Sequence, residues 1–243
     1  MTTIEMTGGM TESERVLHRM KSIHNERVEA IQKDQSPMRL SDTTRLIFHL
    51  IPEEALKAPK SISASELKRA AQSIRPLTEG DGGYYDGRFN ADGFLLYSGR
   101  EAARCYSQLF RTGIYEGVMS EVLYQDQNQS RILGANWCEE ALLRGLSGYL
   151  PFSETLGLVP PFWMFAVIAG CDGARILVNR AFQRLSAYAI DRNIVCLPET
   201  KIDTSDTNLA KQLRPMFDVL WNAAGFERSL NYDESGNRKV TSS

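Results

Sequence analysis

Glu199, Thr200 and Lys201 close an apolar run, NIVCLPETKI. On a strand the acid and the lysine, two apart, share one face. Metal-dependent nucleases exploit that pairing: the carboxylate holds a divalent metal and the lysine helps position the attacking water. Asp172, which follows the preceding apolar run, supplies the upstream acid such a site needs. Pro198 beside the pair suits an edge or a bulge better than a ladder centre, and a solvated strand end accounts for the same residues.

Gly80, Gly82 and Gly83 flank Asp81 in a loop whose backbone N–H groups could curl around a phosphate. The loop lacks the Lys-Ser/Thr of a P-loop and the spacing of a dinucleotide fingerprint, so a surface connector is the competing reading. Asn90-Ala91-Asp92-Gly93 imitates the middle of a calcium loop, but Arg88 and Gly99 stand where the first and last ligands belong. A turn explains it. His18, His24 and His49 are too dispersed to propose a metal site, and His49 inside RLIFHLI reads as a hydrogen-bonded sheet histidine. Cys105, Cys138, Cys171 and Cys196 offer no close pair for zinc or redox chemistry. No metal and no cofactor is assigned from these residues.

Arg88, Tyr97, Arg104, Tyr106, Phe110 and Arg111 intermix cationic and aromatic side chains over neighbouring strand-like segments, as base-stacking platforms do. Alternation puts Tyr106, Gln108 and Phe110 on one face and Cys105, Ser107 and Leu109 on the other. One face must be core, and aromatic packing competes with exposed stacking for these side chains.

The elements that must position these residues follow from periodicity. Thr11 and Glu14 form a capping box, and Leu17, Met20, Val28 and Ile31 recur at helical spacing, which predicts an amphipathic helix over about 12–33. Arg45 to Ile51 reads as a buried strand closed by Pro52. Ser63 and Glu66 cap a short helix. Phe94–Ser98, Arg104–Arg111 and Ile114–Leu123 predict a three-stranded antiparallel meander, the last two joined at Thr112-Gly113. A helix over 136–150, stopped by Pro151, should lie on that sheet. Phe162–Cys171 is apolar on both alternations and predicts a central strand covered on both faces. Asn193–Ile202 is a further strand, and 208–224 a final helix with Gly225 after its end. Beyond Glu227 the chain is polar and is expected to fray.

The fold class expected is α+β, with a mixed, largely antiparallel sheet packed by amphipathic helices. Residues 1–35 form a helical arm, 36–227 one domain and 228–243 a polar tail. Leu46, Phe48, Trp137, Leu142, Phe165, Val167, Phe217 and Trp221 are the expected core.

Composition sets the outer limits. The 243 residues carry 28 Lys+Arg against 30 Asp+Glu, a net charge of -2, which excludes histone-like coating of nucleic acid but leaves a local basic patch open. Surface scaling for this size allows about 72% burial on folding, enough for one sizeable core. The longest apolar stretch, 160–169, falls well short of the ~20 residues that span a bilayer. The N-terminal residues lack the basic and apolar regions of a secretory signal. A cytoplasmic location without membrane contact is the expectation.

Several stretches in order, RLIFHLIP, GRFNADGFLLYSG, YSQLFRTGIYEGV, LGLVPPFWMF and RPMFDVLWNAAGFERSLNYDESGN, resemble the C-terminal region of bacterial proteins that carry an N-terminal Schlafen AlbA-type domain. Such proteins are often labelled ATP-binding or DNA-binding. The resemblance covers residues 25–237 and rests on the succession of segments. The AlbA-type domain itself has no counterpart here, so no residue inherits the labelled activity; the chain reads equally as a stand-alone relative, half of a split gene or a fragment. What the resemblance implies is a non-catalytic binding or assembly module that works with an AlbA-type nucleic-acid-handling protein, or with itself, and contacts nucleic acid only weakly alone. The N-terminal apolar stripe would be its docking surface. The alternative is a metal-dependent nuclease of the PD-(D/E)xK type built on Asp172, Glu199 and Lys201.

Overall fold

The computed structural model describes residues 10–58, 61–72, 74, 85–179, 184–203 and 208–239. In chain order the elements are α1 (Glu12–Gln32), β1 (Arg45–Pro52), α2 (Glu54–Lys57), α3 (Ala64–Ala71), β2 (Asp86–Phe89), β3 (Gly93–Ser98), β4 (Cys105–Phe110), β5 (Tyr115–Ser120), β6 (Leu123–Gln125) and β7 (Arg131–Leu133). They continue with α4 (Ala135–Thr155), β8 (Phe162–Ala169), β9 (Arg175–Asn179), β10 (Arg184–Leu185), β11 (Ile194–Cys196), β12 (Thr200–Ile202) and α5 (Leu209–Asn222). The fold is α+β.

An eight-stranded antiparallel sheet runs β11-β8-β1-β5-β4-β3-β2, with β12 also paired to β8. The expected meander is its β3-β4-β5 section. Strand alternation sorts two cores. Leu46, Phe48, Tyr115, Leu109 and Met164 face α4 and α5, and Trp221, Phe217, Leu142 and Tyr149 close over them. On the opposite face Ile47, Val118, Tyr106 and Val167 meet Val28 and Ile31 of α1, while Ile51 and Phe165 meet Val16 and Met20. Every residue of β1 is buried, as expected of a strand covered on both sides. A smaller sheet, β10-β9-β7-β6, contains the parallel pair β7–β9.

Local signals explain the element ends. Thr11 and Glu14 exchange both capping bonds at the start of α1, and Ser63 and Glu66 repeat the device before α3. The strand expected over 114–123 stops at Ser120 because Glu121 turns into the left-handed region (φ 61) and redirects the chain into β6. The strand expected over 193–202 is split into β11 and β12 at Pro198, both halves lying on the β8 edge. Pro151 does not stop α4, which continues to Thr155. Proline removes a single N–H from the ladder, and Phe152 and Ser153 are buried in the turn beyond it.

Three further expectations change. Trp137 is half-buried rather than core, tilted against Tyr124 at 5.5 Å. The α1 stripe is spent on its own sheet, with Val16, Met20, His24, Val28 and Ile31 buried, so it is no free docking surface. Residues 228–239 are not a free tail: Ser229 and Tyr232 are buried against α4 and α5. The glycine loop at 80–83 lies outside the described residues. Among the described residues, no helix is long and apolar enough to cross a membrane.

Candidate functional site

Among the described residues, a buried cluster of titratable groups lies between α1 and the sheet. β5 places Glu116 opposite His49 on β1, and the next strand, β4, contributes Tyr106 on the same face. The carboxylate accepts from Arg27 Nε at 2.7 Å and Arg27 Nη2 at 2.9 Å, from Tyr106 Oη at 2.8 Å and from His49 Nε2 at 2.9 Å. Those four donors fill a carboxylate's four lone-pair sites. His49 Nδ1 then meets His24 Nδ1 at 2.8 Å.

The electrostatics match the geometry. Burial by itself would raise the Glu116 carboxyl, but hydrogen bonds from Arg27 and His49 overcome it and hold the group at about 2. His24 is held at about 3, first by burial and then by His49. Arg27 is raised, chiefly by its bond to Glu116, and Tyr106 is raised by burial and by the same carboxylate. Phe165 stacks on His24 at 5.4 Å, and Arg27 lies over the Phe110 ring. Glu116 and His49 are fully buried. Acid, imidazole and phenol are present at hydrogen-bond distance, yet their donors and acceptors are committed to one another.

A second buried acid, Glu139 on α4, ties α5 and the C-terminal segment together. It accepts from Trp221 Nε1 and from Ser229 Oγ, each at 2.8 Å. Arg238 approaches at 3.8 Å. Burial raises its carboxyl, opposed by Asn231, Ser229 and Trp221.

The nuclease constellation does not assemble. Thr200 and Lys201 lie opposite Met164 and Trp163 at the start of β8, whereas Asp172 lies beyond Ala169 at its end. That is about 17 Å of strand at about 3.3 Å per residue, before the turn is counted. Glu199 pairs with Lys21 of α1 at 2.5 Å, which lowers its carboxyl, and Lys201 pairs with Asp203 at 2.7 Å. Among the described residues no group of three or more His, Cys, Asp and Glu is placed to hold a metal ion. The two apolar runs are antiparallel neighbours, so their C-terminal ends point in opposite directions along β8.

The cationic and aromatic residues of β2 to β4 are also divided. Tyr106 is sealed beneath α1 and Phe110 lies under Arg27, so neither presents a face to a base. Tyr97 is half-buried against the same core and donates to Asp86. Arg88 and Arg104 are exposed, Arg104 paired with Glu121, and Arg111 is half-buried. Asn90 Oδ1 accepts from the N–H groups of Asp92 and Gly93, which makes the calcium-like tetrad the β2–β3 turn.

Sequence reasoning missed Arg27 and Glu116 altogether and read His24 only as a dispersed histidine, although it stands four residues after Met20 and four before Val28, in the middle of the buried stripe.

No protein-family model, curated protein or solved structure matches this chain.

Proposed function

We propose that the chain is a non-catalytic binding or assembly module that works beside an AlbA-type nucleic-acid-handling protein. One observation carries the reading. The large sheet ends in β2, whose four residues are all exposed and whose described pairing is with β3. Phe89, 44% exposed, stands on that strand with one ring edge packed on Phe94. An exposed edge strand is a template for strand addition by a partner: main-chain hydrogen bonds give affinity and alternate side chains give specificity. The α1 stripe is already occupied, so the edge inherits the docking role. The partner's identity rests on the succession of sequence segments described above.

Near-neutral charge supplies little counterion release, so intrinsic affinity for DNA or RNA should be about 10⁻⁴ M or weaker at physiological salt. The test joins two measurements on the purified chain. Co-expression with an AlbA-type protein should give a complex that survives size exclusion and is lost on Phe89→Asp. Titration with single- and double-stranded nucleic acid across a salt series should show only weak, non-specific binding. Submicromolar nucleic-acid binding, assembly with itself alone, or metal-dependent cleavage abolished by Glu199→Ala would each overturn the reading.

A further inference from the structure

The outer side of β2 has a fixed hydrogen-bonding parity. At the β2–β3 turn Asn90 N–H donates to Gly93 O, and the antiparallel register sets Arg88 opposite Leu95 and Asp86 opposite Tyr97. Main-chain groups alternate in direction along a strand, so Asp86 and Arg88 turn theirs towards β3 while Gly87 and Phe89 turn theirs outward. Side chains alternate across the two faces as well. Asp86 and Arg88 share the α1 face, where Leu95 and Tyr97 join the core beneath that helix. Gly87 and Phe89 share the other, where the Phe94 ring lies 3.0 Å from the position a Gly87 Cβ would take.

Both charged residues of the strand are exposed. Asp86 Oδ1 accepts the outward N–H of Gly87 at 2.7 Å, and Oδ2 accepts from Tyr97 Oη at 3.2 Å. Arg88 Nη2 donates to Pro37 O at 3.2 Å and to Met38 Sδ at 3.4 Å. Among the described residues these partners are all neutral groups, and neither side chain has an ion pair. One negative and one positive charge therefore stand two residues apart on the same face of an edge strand. The carboxylate also blunts that edge, because it holds one of the outward N–H groups.

Asp86-Gly87-Arg88 is complementary to itself when run antiparallel. A two-fold axis at Gly87 sets that glycine opposite its own copy, Asp86 opposite Arg88 of the second copy, and Arg88 opposite its Asp86. The outward Gly87 groups then exchange both main-chain bonds, and the charged pairs fall at non-hydrogen-bonded positions, where Cα atoms stand only about 4.5 Å apart. Moving the axis one residue either way brings Asp86 opposite Asp86 or Arg88 opposite Arg88, and like charges directly opposite are destabilising. Charge thus selects one register. We infer that β2 pairs with β2 of a second copy of this chain about a two-fold axis at Gly87, joining the two large sheets edge to edge. Such an isologous contact closes at two copies. The inference rests on the module reading only in taking β2 as the docking edge: the second copy holds that edge until a partner strand displaces it.

Sedimentation velocity of the full chain should show a reversible monomer–dimer equilibrium. One short strand buries less than a standard interface, so the dissociation constant should be about 10⁻⁴ M. Asp86→Arg and Arg88→Asp each turn both symmetry-related attractions into repulsions, and each should weaken the dimer by at least about tenfold; circular dichroism checks that both variants fold. Mixing the two variants restores both opposite-charge pairs, so the mixture should form a heterodimer at the affinity of the original chain. A chain that stays monomeric at about ten times the expected constant, a single variant that dimerises as tightly as the original, or a mixture no tighter than its components would overturn the inference. Co-expression with an AlbA-type protein separates the two readings. A chain that stays monomeric yet takes that partner overturns this inference alone, and one that dimerises but takes no partner overturns the module reading alone.

Discussion

His24 Nδ1 lies 2.8 Å from His49 Nδ1, joining α1 to the centre of the sheet through a contact between residues 25 apart in the chain. The contact requires one ring nitrogen to donate and the other to accept, so it is lost when both imidazoles are protonated. Because His49 also bonds Glu116, the protonation of one exposed-looking helix residue is tied to the sheet's buried carboxylate.

That coupling sets the acid stability. Folding lowers His24 from its ordinary 6.5 to about 3, and Glu116 from 4.5 to about 2. Between 6.5 and 3 the unfolded chain therefore holds a proton at His24 that the folded chain refuses, and between 4.5 and 2 the same is true at Glu116. Stability is fully present above 6.5 and falls with acid, by at most about 1.4 kcal/mol per pH unit for each proton. Urea midpoints measured from pH 7.5 to 4 should show this slope. His24→Asn, which keeps a donor without titrating, should flatten the curve between 6.5 and 4.5. An unchanged slope in the variant would place the titration elsewhere.

Arg27→Met should cost about 3–5 kcal/mol, because it leaves the Glu116 charge buried without its bidentate partner. Glu116→Gln added to that variant should recover part of the loss. A double-mutant cycle by chemical denaturation measures the difference, and strictly additive losses would show that the pair is not coupled.

The two large aromatics Phe48 and Trp137 should separate. Phe48 is fully buried and packs at 5.2 Å from Tyr115, so Phe48→Ala should cost about 3–5 kcal/mol. Trp137 keeps part of its surface in water, and its replacement by Ala should cost less than half as much. Equal losses in calorimetry would mean that Trp137 is a core residue after all.

Elements announced by local chemistry were legible in the sequence: the capping boxes at Thr11 and Ser63, the Gly113 turn, the apolar run of β8. Elements made by tertiary context were not. β6, β7 and β10 span three residues or fewer and carry no period of their own; they exist because another strand lies beside them. Pro151 shows the same override in a helix, where packing of Phe152 outweighs one lost bond. For the buried centre, His49 and Glu116 sit on strands read correctly or nearly so, but their pairing is a matter of register, which alternation alone leaves open. Asp172 and Glu199 are separated for the complementary reason: antiparallel pairing sends the C-terminal ends of their neighbouring runs in opposite directions.

The C-terminal segment offers the last test, since a polar composition hides a structural clasp. Ser229 donates to the buried Glu139 and its own N–H bonds Asp218 at 2.8 Å. Tyr232 is 2% exposed, donates from Oη to Ala210 O at 2.7 Å and lies 6.3 Å from the Phe217 ring. Ending the chain after Glu227 removes these together and exposes Glu139 and Phe217. Burial of one large side chain is worth about 1.5–3 kcal/mol and each lost bond to a charged group a further 1.5–3, so the truncation should lower stability by at least about 3 kcal/mol. Ser229→Ala alone should cost about 1–3 kcal/mol, because Glu139 stays buried with one donor fewer. Thermal and urea denaturation of both variants measure this, and a truncated chain as stable as the full one would return the segment to the status of a tail.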